Sequence, residues 1–154
     1  GFSITAGNAS GTNDAAAGVA VVERDYAAAN GLNVMATVRA WGAAGVPPRD
    51  TGLGAVKVIG KVLDRAGLKP SDIALWEINE AFASVPIAAC KEYGLDEELV
   101  NFSGSGCSLG HPIAASGARM VTTLVYELQR RGGGIGMAAM CAGGGQGGAV
   151  IVEV

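Results

Sequence analysis

The sequence predicts an α/β fold: a mixed, mostly parallel sheet with helices on both faces, in the order βαβαβαββ. Three observations carry that expectation. From residue 34 onward strand-like and helix-like patterns alternate. Hydrophobic residues make up 49% of the chain and charged residues only 16%, which excludes disorder and a coiled coil. Finally, 25 glycines among 154 residues let backbones pack closely.

Residues 1–24 read as a turn, a short helix and one buried strand, the last in the apolar run 18–22. Asn30, Gly31 and Asn33 mark a break, dividing the chain into residues 1–30 and a self-contained domain over 31–154. That domain opens with a β-rich stretch at 34–41 and a Gly/Pro loop. Val56, Ile59, Leu63 and Ala66 then recur at helical spacing, and Gly67 stops the helix. A strand at 73–78 leads to a helix over 80–93, closed by Gly94, with a kink expected at Pro86. Residues 100–102 read as a short strand and 104–110 as a glycine-rich loop. The helix over 113–131 carries so many small and apolar residues that burial on most sides is expected. Strands at 136–141 and 149–154, joined through a glycine run, complete the order.

Composition excludes several function classes. A net charge of −3 with 11 Lys and Arg spread along the chain gives no footprint for nucleic acid or an anionic membrane. No apolar run approaches the roughly 20 residues that cross a bilayer, and no charged leader opens the chain. Three separated cysteines, none in a C-x-x-C pair, argue against a disulfide scaffold and point to a reducing, cytoplasmic setting. No metal site is expected, because Cys107 and His111 have no second ligand pair. The stretch 104–110 imitates a dinucleotide-binding turn, but its third glycine comes one place late and Pro112 interrupts it.

In a parallel arrangement ligands gather beyond the carboxyl ends of the strands, where Asn79, His111 and Cys141 all fall. His111 is the only histidine; Pro112 holds it extended at a helix mouth, where a neutral imidazole is favoured. It reads either as a base or as a histidine making one backbone hydrogen bond. Cys141 ends a strand before Gly143, Gly144 and Gly145, whose N–H groups can face developing negative charge. Alone it could equally be a small buried hydrophobe. Asn79 serves as an N-cap for a helix starting at Glu80, as a holder of water, or as both.

Four motifs together resemble the thiolase family of acetyl-CoA acetyltransferases and 3-ketoacyl-CoA thiolases. They are Thr5-Ala-Gly-Asn-Ala-Ser-Gly11, Asn79-Glu-Ala-Phe82, Gly110-His-Pro112 with Ala115-Ser-Gly-Ala-Arg119, and Cys141-Ala-Gly-Gly-Gly-Gln-Gly147, in family order. The resemblance implies that residues 1–30 are the tail of an N-terminal thiolase half plus a linker, and 31–154 the C-terminal thiolase domain. It implies acyl transfer between coenzyme A thioesters, with no cofactor beyond those substrates. In this scheme His111 deprotonates a nucleophilic cysteine carried on the half absent from this chain. Cys141 exchanges a proton with the substrate α-carbon, Asn79 holds a water at the enolate oxygen, and Gly143 N–H lines the acyl-enzyme oxyanion hole. Ser10 and Phe82 match contacts to the pantetheine arm of coenzyme A. The partners implied are acyl-CoA, coenzyme A, the missing half and further copies in a dimer or tetramer.

The cysteine at 141 separates the chain from ketoacyl synthases, which use histidine there, and the Asn-Glu-Ala-Phe motif separates it from sterol-carrier thiolases. Ser105, Cys107, Ser108 and Ala114 depart from the usual pattern and leave acyl-chain preference open. The alternative is a non-catalytic, thiolase-like domain that binds lipid or a partner. On the first reading the 154 residues alone are inactive, since none of Cys90, Cys107 and Cys141 sits in a nucleophile motif.

Overall fold

A computed structural model describes residues 4–154; the start of the expected first segment, residues 1–3, lies outside them. Its regular elements are α1 (Arg24–Ala29), β1 (Thr37–Gly45), α2 (Leu53–Ala66), β2 (Leu75–Ile78), α3 (Ser84–Tyr93), α4 (Ile113–Arg130), β3 (Ile135–Ala142) and β4 (Gln146–Glu153). The sheet order is β1-β4-β3-β2. The mixed α/β sheet is as expected, but parallel pairing does not predominate in it. Only β2 and β3 pair in parallel; β3–β4 and β1–β4 are antiparallel. The reason is the tight hairpin after β3, which reverses the chain and leaves β4 to receive β1 on its far side.

Two layers of side chains cover the sheet. On one face α2 and α3 bury Val58, Ile59, Val62 and Ala89 against Trp76, Ile78, Met137 and Ile151. On the other, α4 packs Met120, Leu124 and Leu128 against Leu75, Ala138 and Val152. The period-2 alternation of β3 therefore sends Met137, Ala139 and Cys141 to the α2 side and Ala138 to the α4 side. Edge strand β1 is covered by a row of cations one helical turn apart. Lys57, Lys61 and Arg65 on α2 donate to the carbonyls of Gly45, Ala43 and Trp41 at 2.8–3.0 Å, occupying acceptors that another strand would use.

Several local expectations need correction. Residues 18–22 form no strand: Val19, Val21 and Val22 are exposed, and among the described residues no strand pairs with them to take up their backbone groups. The helix of this region is α1, later than expected, capped by the Glu23 carboxylate on Tyr26 N–H at 2.9 Å. The expected strand at 100–102 shrinks to one parallel bridge between Trp76 and Val100. Asn101 ends it in a left-handed conformation, φ 52, and its amide takes over the pairing. Oδ1 accepts from Ile78 N–H and Nδ2 donates to Ile78 O, both at 2.8 Å. Helix α3 starts at Ser84, so Pro86 falls in the first turn, where the missing N–H has no intrahelical duty and no kink is required. Helix α4 is buried along one face only; Ile113 and Tyr126 are 79% and 60% exposed.

The hairpin carrying the glycine run is seated on the first turn of α2. A Cβ on Gly147 would overlap the carbonyl of Gly54, and one on Gly54 would overlap the carbonyl of Gln146. Neither backbone can retreat without moving helix or sheet. Gly147→Ala is therefore expected to cost roughly 3 kcal/mol of stability, read as a lower urea midpoint. An unchanged midpoint would contradict this contact.

Candidate functional site

The loop before α4 holds His111 by its backbone and by its ring. Its N–H donates to Asn13 Oδ1 at 3.0 Å, a contact spanning 98 residues. Asn13 sits so close to Gly110, which has φ 105, that any side chain there would meet the Asn13 amide. The ring Nδ1 lies 2.7 Å from Ser116 Oγ. That hydroxyl gives its one proton to Pro112 O at 3.2 Å, so it accepts from Nδ1–H. The histidine is thereby set as the Nδ1–H tautomer and Nε2 carries the lone pair. Burial, and then the positive Arg119, hold the imidazole below its usual value, which keeps it neutral.

Asn79 lies just beyond β2 and is fully buried. Its N–H donates to Ala139 O at 2.9 Å, and its Nδ2 lies 3.3 Å from His111 Nε2 and 3.4 Å from Nδ1, while Oδ1 has no partner. It is not an N-cap, because α3 begins at Ser84 and residues 80–83 form a separate turn. Contacts remote in sequence hold that turn. Residues 8–10 pair with 81–83 through Ser10 N–H to Ala81 O at 3.1 Å and Ala83 N–H to Asn8 O at 2.9 Å. The Glu80 carboxylate accepts from Asn101 Nδ2 and Cys107 N–H, and buried Ser105 accepts from Glu80 N–H. The pairing sets Ala9 opposite the 41% exposed Phe82, with Ser10 the next residue along.

Cys141 is the last residue but one of β3, one strand from Asn79 at the same end of the sheet. Its side chain packs in the α2-side cluster, whereas His111, Asn79 and Ser116 form a hydrogen-bonded group on the α4 side. Among the described residues no hydrogen bond joins Cys141 to that group. Burial pushes its thiol up, so the resting sulfur keeps its proton. Gly143 is exposed in the turn that follows, where its carbonyl accepts from Gln146 Nε2 at 3.1 Å. Among the described residues no group of His, Cys, Asp and Glu could hold a metal ion, and no helix is long and apolar enough to cross a membrane.

Three residues beside this group had no role in the sequence reading: Ser116, Glu77 and Arg119. Glu77 is an acid in an otherwise apolar strand and is fully buried; Arg119 Nη1 donates to it at 2.7 Å. An ionisable residue inside an apolar strand, with another on the apolar helix, was the available signal. Burial pushes the Glu77 carboxyl up to about 7, against the opposing pull of Arg119. The fold therefore holds a proton that the unfolded chain, with an ordinary value of 4.5, releases. Stability contributed by Glu77 is full below pH 4.5 and falls as pH rises towards about 7. The stability difference between the native chain and Glu77→Gln should accordingly shrink from pH 5 to pH 8 in urea unfolding. A difference independent of pH would contradict the buried, protonated carboxyl.

Comparison with known proteins agrees with this architecture. The family model described as "Thiolase, C-terminal domain" matches residues 32–154. The acetyl-CoA acetyltransferase of Escherichia coli K12 is 47% identical over 150 residues, covering 97% of this chain and 38% of that protein. The crystal structure of the Bacillus anthracis acetyl-CoA acetyltransferase superposes with a TM-score of 0.91 at 42% identity, over 97% of this chain and 38% of the other. Human mitochondrial 3-ketoacyl-CoA thiolase in complex with CoA gives 0.89 at 37% identity, with the same coverages. The chain thus spans 38% of the length of these relatives. With the sheet, the hairpin and three of the four motifs (79–82, 110–119 and 141–147) falling within residues 32–154, the chain belongs to the thiolase family and carries its C-terminal domain.

Proposed function

We propose that this chain is the acid–base portion of a thiolase that moves acyl groups between coenzyme A thioesters, the nucleophilic cysteine lying on polypeptide outside it. One observation carries the reading. His111 is neutral, its Nδ1–H is committed to Ser116, and its Nε2 lone pair is left beside the Asn79 amide at the carboxyl end of the parallel β2–β3 pair.

In the direction of thiolysis, Nε2 takes the S–H proton of the nucleophilic cysteine, whose thiolate attacks the 3-keto carbon of the substrate. The C2–C3 bond breaks, the acyl group stays on sulfur, and the electron pair leaves on C2 as an enolate. The Cys141 thiol gives its proton to C2 and releases acetyl-CoA; its elevated value favours this donor role. The Cys141 thiolate then takes the proton of incoming coenzyme A, which attacks the acyl-enzyme; the nucleophilic cysteine leaves as thiolate and takes back the proton held on His111 Nε2. Asn79, through a water, and His111 stabilise the enolate oxygen, and Gly143 N–H contributes to the acyl-enzyme oxyanion hole. A substrate touching both Asn79 and Cys141 has to lie across the strand ends, and Ser10 and Phe82 are assigned to its pantetheine arm.

Acetoacetyl-CoA cleavage by the full-length protein carrying this chain tests the assignment. Cys141→Ala should lower kcat by about 100-fold or more, while the covalent acyl-enzyme still forms in a single turnover. Unchanged kcat, or loss of acylation with the fold intact, would overturn the role given to Cys141.

A further inference from the structure

We propose that the Glu77–Arg119 pair, with its carboxylate fully buried, is a positioning device for His111: it locks α4 to β2 one helical turn beyond Ser116 and brings a guanidinium to the α4 side on which the imidazole lies. The inference deepens the reading above and rests on it for its catalytic purpose.

Geometry places the pair and the histidine in one column. Glu77 and Asn79 are two residues apart along β2 and its exit, so both face α4. Ser116 and Arg119 are three apart on α4 and share its inward side. Two rungs result: Glu77 with Arg119, and Asn79 with His111 and Ser116. Stability is a weak reason to bury such a pair, since desolvation consumes most of the attraction and apolar replacements often fold as well.

The pair is also incompletely matched. Glu77 Oε1 and Arg119 Nη2 are buried without partners, as is Asn79 Oδ1 in the next rung. A carboxyl that is partly protonated near neutral pH leaves the guanidinium only partly compensated, and that charge opposes protonation of His111. The other groups around the column add little to this. Glu80, on the turn after β2, is engaged by Asn101 and Cys107; Cys141 on β3 holds its proton; Asn13, from the first segment, is neutral.

His111 is the only histidine, so its ring nitrogens give unambiguous 15N signals in the whole 154-residue chain without substrate. The native chain should show the Nδ1–H tautomer and titrate below 6.5. Arg119→Gln should raise that value by about half a pH unit or more and weaken the tautomer preference. Glu77→Gln, which mimics the carboxyl already protonated where His111 titrates, should leave it nearly unchanged, and Arg119→Lys, which keeps the charge, should hold it low. A folded Arg119→Gln chain with an unmoved His111, or a folded Glu77→Gln chain in which it rises to the value of a free histidine, overturns the proposal. So does a rise in Arg119→Lys to the value of a free histidine, which keeps the test decisive if the glutamine variants do not fold. Because these signals need no turnover, a native full-length protein that fails to cleave acetoacetyl-CoA would remove the thiolase reading while leaving this measurement standing.

Discussion

Replacing His111 with alanine in the full-length protein is expected to lower acetoacetyl-CoA thiolysis by about 10²- to 10⁴-fold. The loss should fall on kcat more than on KM, because the imidazole acts on the protons being moved rather than on the coenzyme A arm. The structure gives this residue no substitute. It is the only histidine, and the polar groups beside its ring, the Ser116 hydroxyl and the Asn79 amide, neither take up nor release a proton at neutral pH. Alanine would also leave Ser116 Oγ without its donor, although that hydroxyl keeps its bond to Pro112 O and should hold α4 in place. A folded His111→Ala protein with native kcat would be incompatible with histidine as the base.

How much of this site the sequence discloses depends on how local each contact is. His111 is legible because Pro112 and Gly110 fix its loop from adjacent positions. Asn79 is legible as a polar residue at a strand end, but its partner is not. Residues 80–83 look like the start of a helix, and contacts from Asn8, Ser10, Asn101, Ser105 and Cys107, far along the chain, hold them out of it. The strand expected at 100–102 fails for a similar reason, since Asn101 bends the backbone and bonds to Ile78 with its side chain. Residues 18–22 have the composition of a strand without a neighbour to pair with. The Glu77–Arg119 contact joins residues 42 apart, which no local pattern reveals, although an acid in an apolar strand marks where to look.

The second large effect is expected for the 154 residues by themselves, which should show essentially no thiolysis. A covalent acyl carrier needs a thiolate, and a cysteine thiol reaches that state near neutral pH when a cation or a helix N-terminus lowers its value. All three cysteines here are pushed the other way. Burial and then Glu97 raise Cys90, which lies within α3; burial and then Glu80 raise Cys107 in the loop before His111; burial raises Cys141. A thiol kept protonated suits Cys141 as a proton donor and disqualifies it as the resting nucleophile. Cys107 is the most exposed of the three, and its sulfur lies 3.7 Å from the carbonyl of Glu80. That contact holds the S–H rather than freeing the sulfur. A non-catalytic, thiolase-like domain would also be silent in this assay, so inactivity of the chain alone does not separate the two readings; restoring the nucleophile does.

The central claim is that this chain supplies the base and the proton donor while another polypeptide supplies the nucleophile. Its most direct test is a mixing experiment: the purified chain, the separately expressed nucleophile-bearing portion of the full-length protein, acetoacetyl-CoA and coenzyme A, with acetyl-CoA formation followed over time. The account predicts no product from either polypeptide alone, product from the mixture, and loss of that product when the chain carries His111→Ala. Acetyl-CoA formed by the chain alone, or a mixture equally active with His111→Ala, would contradict it.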